Sequence, residues 1–191
     1  EINFIFSSSA TVYGNPEIVP ITESEPIKKA ESPYGNTKQI GEEIIKDLVY
    51  SNSNFKAISL RYFNPIGAHS SSMIGELPIG VPQNLVPFIT QTAIGLRKEL
   101  TVFGNDYPTS DGSCLRDYIH VMDLAKAHIK SLYKLINNED KSYYDTFNIG
   151  TGKGTSVLEL IKCFENVTEN KLNFKIGDRR EGDVAECFAD V

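Results

Sequence analysis

Apolar residues along the chain fall into short continuous runs that alternate with longer stretches of helical periodicity. The short runs, rich in β-branched and aromatic residues, predict strands over 3–7, 56–62, 100–103, 145–149 and 172–176. The periodic stretches predict helices over 33–50, 85–98, 122–136 and 156–167. The first, second and fourth runs are apolar or β-branched at consecutive positions, as in a parallel sheet covered on both faces. The alternation predicts an α/β fold with right-handed crossovers.

Two of the predicted helices have an apolar stripe along one face. The first stripe consists of Ile40, Ile44, Ile45 and Leu48. The second consists of Leu124, Ala125, His128 and Leu132. Both stripes predict burial against the sheet, so His128 is expected to be packed in the interior.

The segment between Pro65 and Pro87 is too rich in glycine and proline for regular structure. It is also longer than an ordinary connection, and it predicts a functional loop system.

The composition narrows the choice of partners. Of 191 residues, 40% are hydrophobic and 23% are charged, which is typical of a globular domain. The net charge is -6 and the sequence pI is about 5.1, which argues against a nucleic-acid or an anionic-membrane partner. No apolar run approaches the roughly 18 residues of a membrane span.

The cysteines and histidines suggest neither disulfides nor a metal. The chain has three isolated cysteines, an odd number: Cys114, Cys163 and Cys187. Their number and spacing predict reduced thiols and a cytoplasmic location. His69, His120 and His128 lack the spacing of a metal set, and His120 is expected to be a structural strand residue. We therefore expect no metal and no Ser-His-Asp triad.

The candidate chemistry lies at Ser9, Tyr34 and Lys38. Ser9 ends the first apolar run, and ligands in open α/β sheets bind beyond the carboxyl ends of strands. Ser32 suits a helix N-cap and Pro33 suits the first turn, so Tyr34 and Lys38 lie four residues apart on one helix face. A lysine ammonium beside a phenol favours the phenolate, which can act as a base.

Two further motifs admit both a structural and a binding interpretation. The turn Gly150–Thr155 matches neither phosphate-loop pattern, so a tight turn into a helix capped by Thr155 or Ser156 is favoured. The run from Arg179 to Asp183 could bind a diphosphate through a guanidinium, or could simply be solvated surface.

Six segments, taken together and in order, resemble the UDP-glucose 4-epimerases, a family of extended short-chain dehydrogenases/reductases. The resemblance extends over essentially the whole chain. The segments are SSSATVYG at 7–14, SPYG followed by Lys38 at 32–38, LRYFNPIGAH at 60–69, GNDYPT at 104–109, RDYIHVMDLA at 116–125 and REGD at 180–183.

The resemblance implies a doubly wound NAD-binding Rossmann domain and a smaller α/β UDP-sugar domain. Residues 1–65 and 122–149 would belong to the NAD-binding domain, and residues 66–121 and 150–191 to the UDP-sugar domain. The family also implies a homodimer. The helix 33–50 could supply the packing face, although burial in the core explains its stripe equally well.

The resemblance also assigns roles to residues. Tyr34 would be the catalytic base, Lys38 would hold the cofactor ribose, and Ser9 would relay the proton of the sugar 4-hydroxyl. Residues of the cofactor site would be Ser7, Ser8, Tyr34, Lys38, Tyr62 and Phe63. Residues of the substrate site would be Ser9, Tyr34, Asn64, Asn84, Leu85, Thr101, Val102, Phe103, Arg116, Arg180, Asp183 and Cys187.

The implied reaction interconverts UDP-galactose and UDP-glucose through a 4-keto sugar, with NAD retained. Dehydratases of this fold carry an Asp-Glu pair where Ala10 and Thr11 stand, which disfavours a dehydratase. A related UDP-sugar epimerase or decarboxylase, a non-catalytic NAD- or nucleotide-sugar-binding module and a truncated, non-functional product remain as alternatives.

Two details of the resemblance concern length and specificity. The family's Gly-rich cofactor loop would lie before Glu1, so we expect a longer protein and weak NAD binding by residues 1–191 alone. Some family members have tyrosine at the position of Cys187, and the smaller cysteine is expected to admit a 2-acetamido sugar.

Overall fold

The structure, a computed structural model, describes residues 2–191, so the first residue of the segment 1–65 lies outside it. The strands are β1 (Ile2–Ser9), β2 (Phe55–Tyr62), β3 (Asn64–Ile66), β4 (Leu100–Phe103), β5 (Leu115–His120), β6 (Tyr143–Ile149), β7 (Gly154–Ser156), β8 (Phe174–Gly177) and β9 (Glu186–Cys187). The helices are α1 (Pro33–Ser51), α2 (Leu85–Ala93), α3 (Val121–Ile136) and α4 (Val157–Thr168), with a 3-10 turn at Ala10–Tyr13.

Three sheets organise these elements. Strands β1, β2 and β6 are parallel, in that order, and their register pairs Ser9 with Tyr62 and Tyr62 with Ile149. All three strands therefore end at one edge. A second sheet runs β3-β5-β7, with β9 also paired to β5, and a third pairs β4 with β8.

The predicted α/β fold is confirmed, and all nine predicted elements are present. The predicted helix 85–98 is too long, because α2 ends at Ala93 and Gly95 adopts a φ of 78° in the turn that follows. The prediction missed three short strands (β3, β7 and β9) and the 3-10 turn, and of β5 it identified only His120 as a strand residue. Their sequences contain no continuous apolar run, and their pairing partners are distant in the chain.

The predicted apolar stripes were largely wrong. In α1, Ile45 is buried, but Ile40, Ile44 and Leu48 are 45%, 55% and 44% exposed. The buried positions of α1 are Gly35, Glu42, Ile45 and Val49, and those of α3 are Ser131 and Leu135. Leu132 is exposed and His128 is only half-buried. Small and polar residues occupy part of each buried face, and a pattern of apolar residues does not count them.

Each face of the β1-β2-β6 sheet has its own core. Ile45, Val49 and Ala57 pack between α1 and the sheet. Ile58, Leu60 and Leu135 pack on the opposite face, beneath α3. Because successive residues of a strand point to opposite faces, Arg61 lies on the α1 face and Tyr62 on the α3 face.

A buried ion pair connects α1 to β2. Glu42 and Arg61 have side-chain exposures of 1% and 3%, and Arg61 Nη2 lies 2.6 Å from Glu42 Oε2. Arg61 Nε donates to Glu42 Oε1 at 2.9 Å, and Ser8 Oγ donates to the same oxygen at 2.6 Å. Arg61 Nη1 donates to the Tyr13 hydroxyl, which donates to Asn148 Oδ1. The network therefore joins α1, β1, β2, β6 and the 3-10 turn.

Replacing Glu42 with glutamine should destabilise the full-length protein by about 3 kcal/mol, because a buried guanidinium is left without its counter-charge. The measurement is urea denaturation with a common m-value. Glu17→Gln is the matched control, since Glu17 forms an exposed pair with Lys28 and its loss should not change stability measurably. Equal effects of the two substitutions would contradict this account.

Candidate active site

The three serines at the end of β1 have different environments. Ser8 points to the α1 face, is buried, and donates to Glu42. Ser7 and Ser9 share the other side of the strand. Ser9 is the N-cap of the 3-10 turn and its Oγ accepts the Thr11 N–H at 3.2 Å. The Ser8 side chain is therefore not available to a cofactor. The hydroxyl hydrogen of Ser9, in contrast, has no acceptor among residues 2–191.

The start of α1 places Tyr34 and Lys38 beside these serines. Ser32 is the N-cap, its Oγ accepts the Gly35 N–H at 3.1 Å, and Pro33 occupies the first turn, as predicted. Lys38 Nζ donates to the Ser7 carbonyl at 2.8 Å and lies 5.4 Å from the centre of the Tyr34 ring. Tyr34 is 55% exposed, and its hydroxyl has no hydrogen-bond partner in the described part of the chain.

Tyr62, which ends β2, and the following residue Phe63 have different environments. Tyr62 is half-buried, and its hydroxyl oxygen lies 2.7 Å from Ser7 Oγ and 2.6 Å from His128 Nε2. Burial raises the pKa of the Tyr62 phenol, the hydrogen bond with Ser7 opposes that shift, and the nearby Tyr34 phenol adds to it. Tyr62 is therefore a neutral phenol at pH 7. Phe63 is buried in the core formed with Val12, Tyr13 and Ile21.

A second polar cluster lies in the β3-β5-β7 sheet and the segment after β8. Asp183 is shared by two guanidinium groups: Arg180 donates to both of its oxygens at 2.8 and 3.2 Å, and Arg116 Nη2 lies 3.4 Å away. Arg116 is also held by the carbonyl of Val184 at 2.9 Å. The Arg180 guanidinium lies 5.7 Å from the centre of the exposed Phe103 ring. Two positive charges and one negative charge leave an excess of positive charge here.

The remaining predicted substrate residues are dispersed around these clusters. Asn84 precedes α2, and its Nδ2 donates to Glu76 Oε1 at 3.0 Å. Both residues line a cavity of about 340 Å³, whose wall also includes residues of β3. Asn64 begins β3, opposite Tyr118. In β4, Thr101 and Phe103 alternate with Val102, which is buried in the core with Leu85 packed against that core.

Two glycine- and arginine-containing segments have structural partners. The Asp117 carboxylate, which is fully buried, accepts the N–H groups of Thr151 and Gly152 at 2.8 and 3.0 Å. Ser156 caps α4 with a capping box to Glu159, so the tight-turn interpretation is confirmed. Arg179 is bound to Asp106, and its guanidinium lies 4.2 Å from the centre of the Tyr107 ring.

Cys187 lies between Arg116 and the core that contains Phe63. In β9 it pairs in register with Arg116, and its side chain packs against the core that contains Phe63. Burial raises the pKa of the Cys187 thiol to about 11, so the thiol is uncharged at neutral pH. All three cysteines are unpaired.

Sequence reasoning missed two residues that support the site. Glu42 follows Tyr34 and Lys38 at the same four-residue interval, and this spacing could have identified it as part of the same helix face. His128 was expected to be packed, whereas its Nε2 contacts Tyr62 and its Nδ1 contacts the Leu124 carbonyl at 2.9 Å. No sequence signal indicates its pairing with Tyr62. His120 is a strand residue as predicted, and it also caps α3.

Residues 2–191 contain neither a candidate metal-binding cluster nor a membrane-spanning helix. No cluster of three or more histidine, cysteine or acidic side chains could bind a metal ion. None of the helices there is long and apolar enough to cross a membrane.

The family described as the NAD dependent epimerase/dehydratase family matches residues 1–150. The UDP-glucose 4-epimerase of Drosophila melanogaster is 52% identical over 188 residues, which are 98% of this chain and 53% of that protein. The chain spans about half the length of the curated relatives it matches.

Solved structures show the same similarity. A UDP-glucose 4-epimerase from Stenotrophomonas maltophila, with bound NAD and formylated UDP-arabinopyranose, matches with a TM-score of 0.93 and 49% identity over 98% of this chain and 55% of that one. The enzyme from Bifidobacterium longum, in complex with NAD+ and UDP, matches with a TM-score of 0.91 and 46% identity over the same shares.

Proposed function

The chain belongs to the NAD dependent epimerase/dehydratase family, and on that premise we propose that the full-length protein is a UDP-glucose 4-epimerase. It would interconvert UDP-galactose and UDP-glucose, using NAD that stays bound. The observation that carries this proposal is that Lys38 binds the Ser7 carbonyl next to the Tyr34 ring, at the carboxyl edge of a parallel sheet where β1 ends at Ser9.

The groups at this edge fit the nicotinamide and ribose part of NAD. An ammonium has three donors, and among residues 2–191 Lys38 uses only one of them, for the Ser7 carbonyl. The other two can bind the hydroxyls of a ribose. The Tyr62 ring lies on the same edge and can contact the nicotinamide. When bound, NAD would supply the hydride chemistry that oxidises C4 of the sugar to a ketone and then reduces that ketone on its other face.

The protein's own side chains would move the proton. Tyr34 as a phenolate would accept the proton of the sugar 4-hydroxyl, and the Lys38 ammonium would stabilise that phenolate. The Ser9 oxygen is occupied by the Thr11 N–H, which leaves its hydroxyl hydrogen available for the sugar oxygen. On the return step Tyr34 would give the proton back, so the protein ends in its initial state.

The second cluster would hold UDP while the sugar turns over. Arg116 and Arg180 would bind the diphosphate, because guanidinium groups pair with phosphate in a planar fork. Asp183 holds both arginines and so orients them. Phe103 and Thr101 would lie beside the uracil, with Asn64, Asn84 and Leu85 around the rest of the nucleotide. Binding energy on the nucleotide leaves the sugar free to present either face.

The alternatives are weaker for chemical reasons. Ala10 and Thr11 provide no carboxylate for elimination of water, which disfavours a dehydratase. A non-catalytic binding module has no need of Ser9, Tyr34 and Lys38 together. A related UDP-sugar epimerase or decarboxylase would form a different product, and identifying the product distinguishes it from the proposed enzyme.

Cys187 supports a broader substrate range. Its small thiol packs against the core that contains Phe63, in register with Arg116, and a tyrosine at this position would take up much more space. We propose that the room beside Cys187 admits a 2-acetamido group, so that UDP-GalNAc and UDP-GlcNAc are also interconverted.

The exposed stripe on α1 supports a homodimer. Ile40, Ile44 and Leu48 lie on one face of a 19-residue helix that is directed away from the sheet. This face is not explained by the core of residues 2–191. We propose that a second copy of α1 packs against it.

The division of the chain and its location are also proposals. Strands β1, β2 and β6, from segments 1–65 and 122–149, would belong to the cofactor domain. The other two sheets, from segments 66–121 and 150–191 with β3 at the boundary, would belong to the UDP-sugar domain. The three unpaired thiols support a reducing, cytoplasmic compartment.

Tyr34→Phe in the full-length protein should lower kcat for UDP-galactose by about 10³-fold, because the proton acceptor is lost. The conversion is followed by NMR without added NAD. UDP binding, measured by calorimetry, should be unchanged. Undiminished turnover would rule out Tyr34 as the base, and wild-type protein that makes no UDP-glucose would rule out the proposed activity.

Cys187→Tyr should lower kcat/KM for UDP-GalNAc at least tenfold more than kcat/KM for UDP-galactose, because the phenol ring fills the space of the acetamido group. Cys187→Ala is the control and should leave the ratio of the two activities nearly unchanged. An unaltered ratio in Cys187→Tyr would show that this wall does not select the substrate.

Ile44→Glu should convert a dimer to monomers, measured by sedimentation velocity, because it introduces a charge into the proposed helix-helix contact. Ile129→Glu is the matched control: Ile129 is equally exposed, at 55%, but lies on α3. A dimer that persists in Ile44→Glu, or a wild-type monomer, would contradict the proposal.

A further inference from the structure

His128 forms a hydrogen-bonded connection to the catalytic edge that the proposed mechanism does not use. Its Nε2 lies 2.6 Å from the Tyr62 hydroxyl oxygen, which lies 2.7 Å from Ser7 Oγ. The main-chain carbonyl of Ser7 in turn accepts a hydrogen bond from the Lys38 ammonium at 2.8 Å. The connection therefore extends from α3 through β2 and β1 to α1, and it ends at a proposed catalytic residue.

The Leu124 carbonyl fixes one side of the His128 ring. A carbonyl oxygen can only accept, so the contact of 2.9 Å with Nδ1 places a hydrogen on Nδ1. The Tyr62 hydroxyl oxygen lies between His128 Nε2 and Ser7 Oγ, so the Tyr62 side chain is held by partners on two elements.

The hydrogen bond with Tyr62 distinguishes Ser7 from Ser9. Ser7 and Ser9 share one side of β1, so both could offer a hydroxyl to the sugar. Ser7 Oγ is bonded to the Tyr62 hydroxyl at 2.7 Å, whereas among residues 2–191 Ser9 Oγ is bonded only to the Thr11 N–H. The same bond fixes the Tyr62 ring in its position on the edge.

We propose that His128 is a positioning residue: it orients the Tyr62 hydroxyl, which keeps the Ser7 hydroxyl away from the sugar and fixes the ring that faces the cofactor. This inference rests on the proposed function. His128 acts only through Tyr62, so its contribution disappears when the Tyr62 hydroxyl is removed.

The kinetic test is a double-mutant cycle in the full-length protein, with UDP-galactose as substrate. His128→Phe and Tyr62→Phe should each lower kcat about tenfold, which corresponds to the loss of one oriented hydrogen bond. The KM should change little, because UDP is held by other residues. The double variant should be no slower than the slower single variant. Losses that multiply, or an unchanged kcat in His128→Phe, would overturn the proposal.

Two companion variants separate positioning from packing. His128→Gln keeps an acceptor for the Tyr62 hydroxyl and should recover kcat to within about threefold of wild type. Lys130→Ala, an exposed change on the same helix, should leave kcat unchanged. If His128→Gln is as slow as His128→Phe, the hydrogen bond is not the cause.

A spectroscopic measurement does not depend on turnover. In ¹⁵N NMR of the full-length protein, the His128 signal, assigned by its absence in His128→Gln, should show a ring protonated on Nδ1. In Tyr62→Phe the Nε2 signal should shift. A ring protonated on Nε2 alone would overturn the proposal. Absence of turnover in the wild type, together with the expected NMR result, would refute the epimerase and leave the hydrogen bond established.

Discussion

A carboxylate and a guanidinium are buried together beneath the helix that carries Tyr34. Removing two charges from water costs several kcal/mol per ion, and this cost is offset only if each charge meets its partner in good geometry. Glu42 and Arg61 meet this condition with two hydrogen bonds between them and further bonds to Ser8 and Tyr13. Since the pair cannot shift without exposing a bare charge, α1 is held in one position on the sheet.

The position of α1 determines the position of the two proposed catalytic groups on it, Tyr34 and Lys38. Tyr34, Lys38 and Glu42 follow one another at four-residue intervals, so anchoring Glu42 to β2 directs the other two toward the end of β1. The opposite face of the sheet is joined to the same edge by Tyr62 and His128. Ser7 and Ser8 are thus held from opposite faces, and Ser9, one residue further, remains free to act on a ligand.

The sequence was sufficient for the α/β class, because continuous apolar runs and helical periods alternate clearly. It also indicated the candidate site, since Ser9, Tyr34 and Lys38 are placed by strand ends and helix caps that are local features. Prediction from the sequence failed where the buried residues are polar. The face of α1 was misplaced because Glu42 replaces an apolar residue there, and the role of His128 depends on a contact with Tyr62 across 66 residues of chain. The short strands β7 and β9 exist only because β5 is available to pair with them.

The central proposal is that the full-length protein, with NAD bound, would move a hydride from C4 of a UDP-sugar to NAD and return it to the same carbon while UDP stays bound. The most direct test supplies the full-length protein with UDP-galactose deuterated at C4, without added NAD, and follows the product by NMR. The account predicts UDP-glucose that retains the deuterium at C4, because that atom moves as a hydride and never exchanges with water. UDP-glucose with hydrogen at C4, or a product other than UDP-glucose, would contradict it.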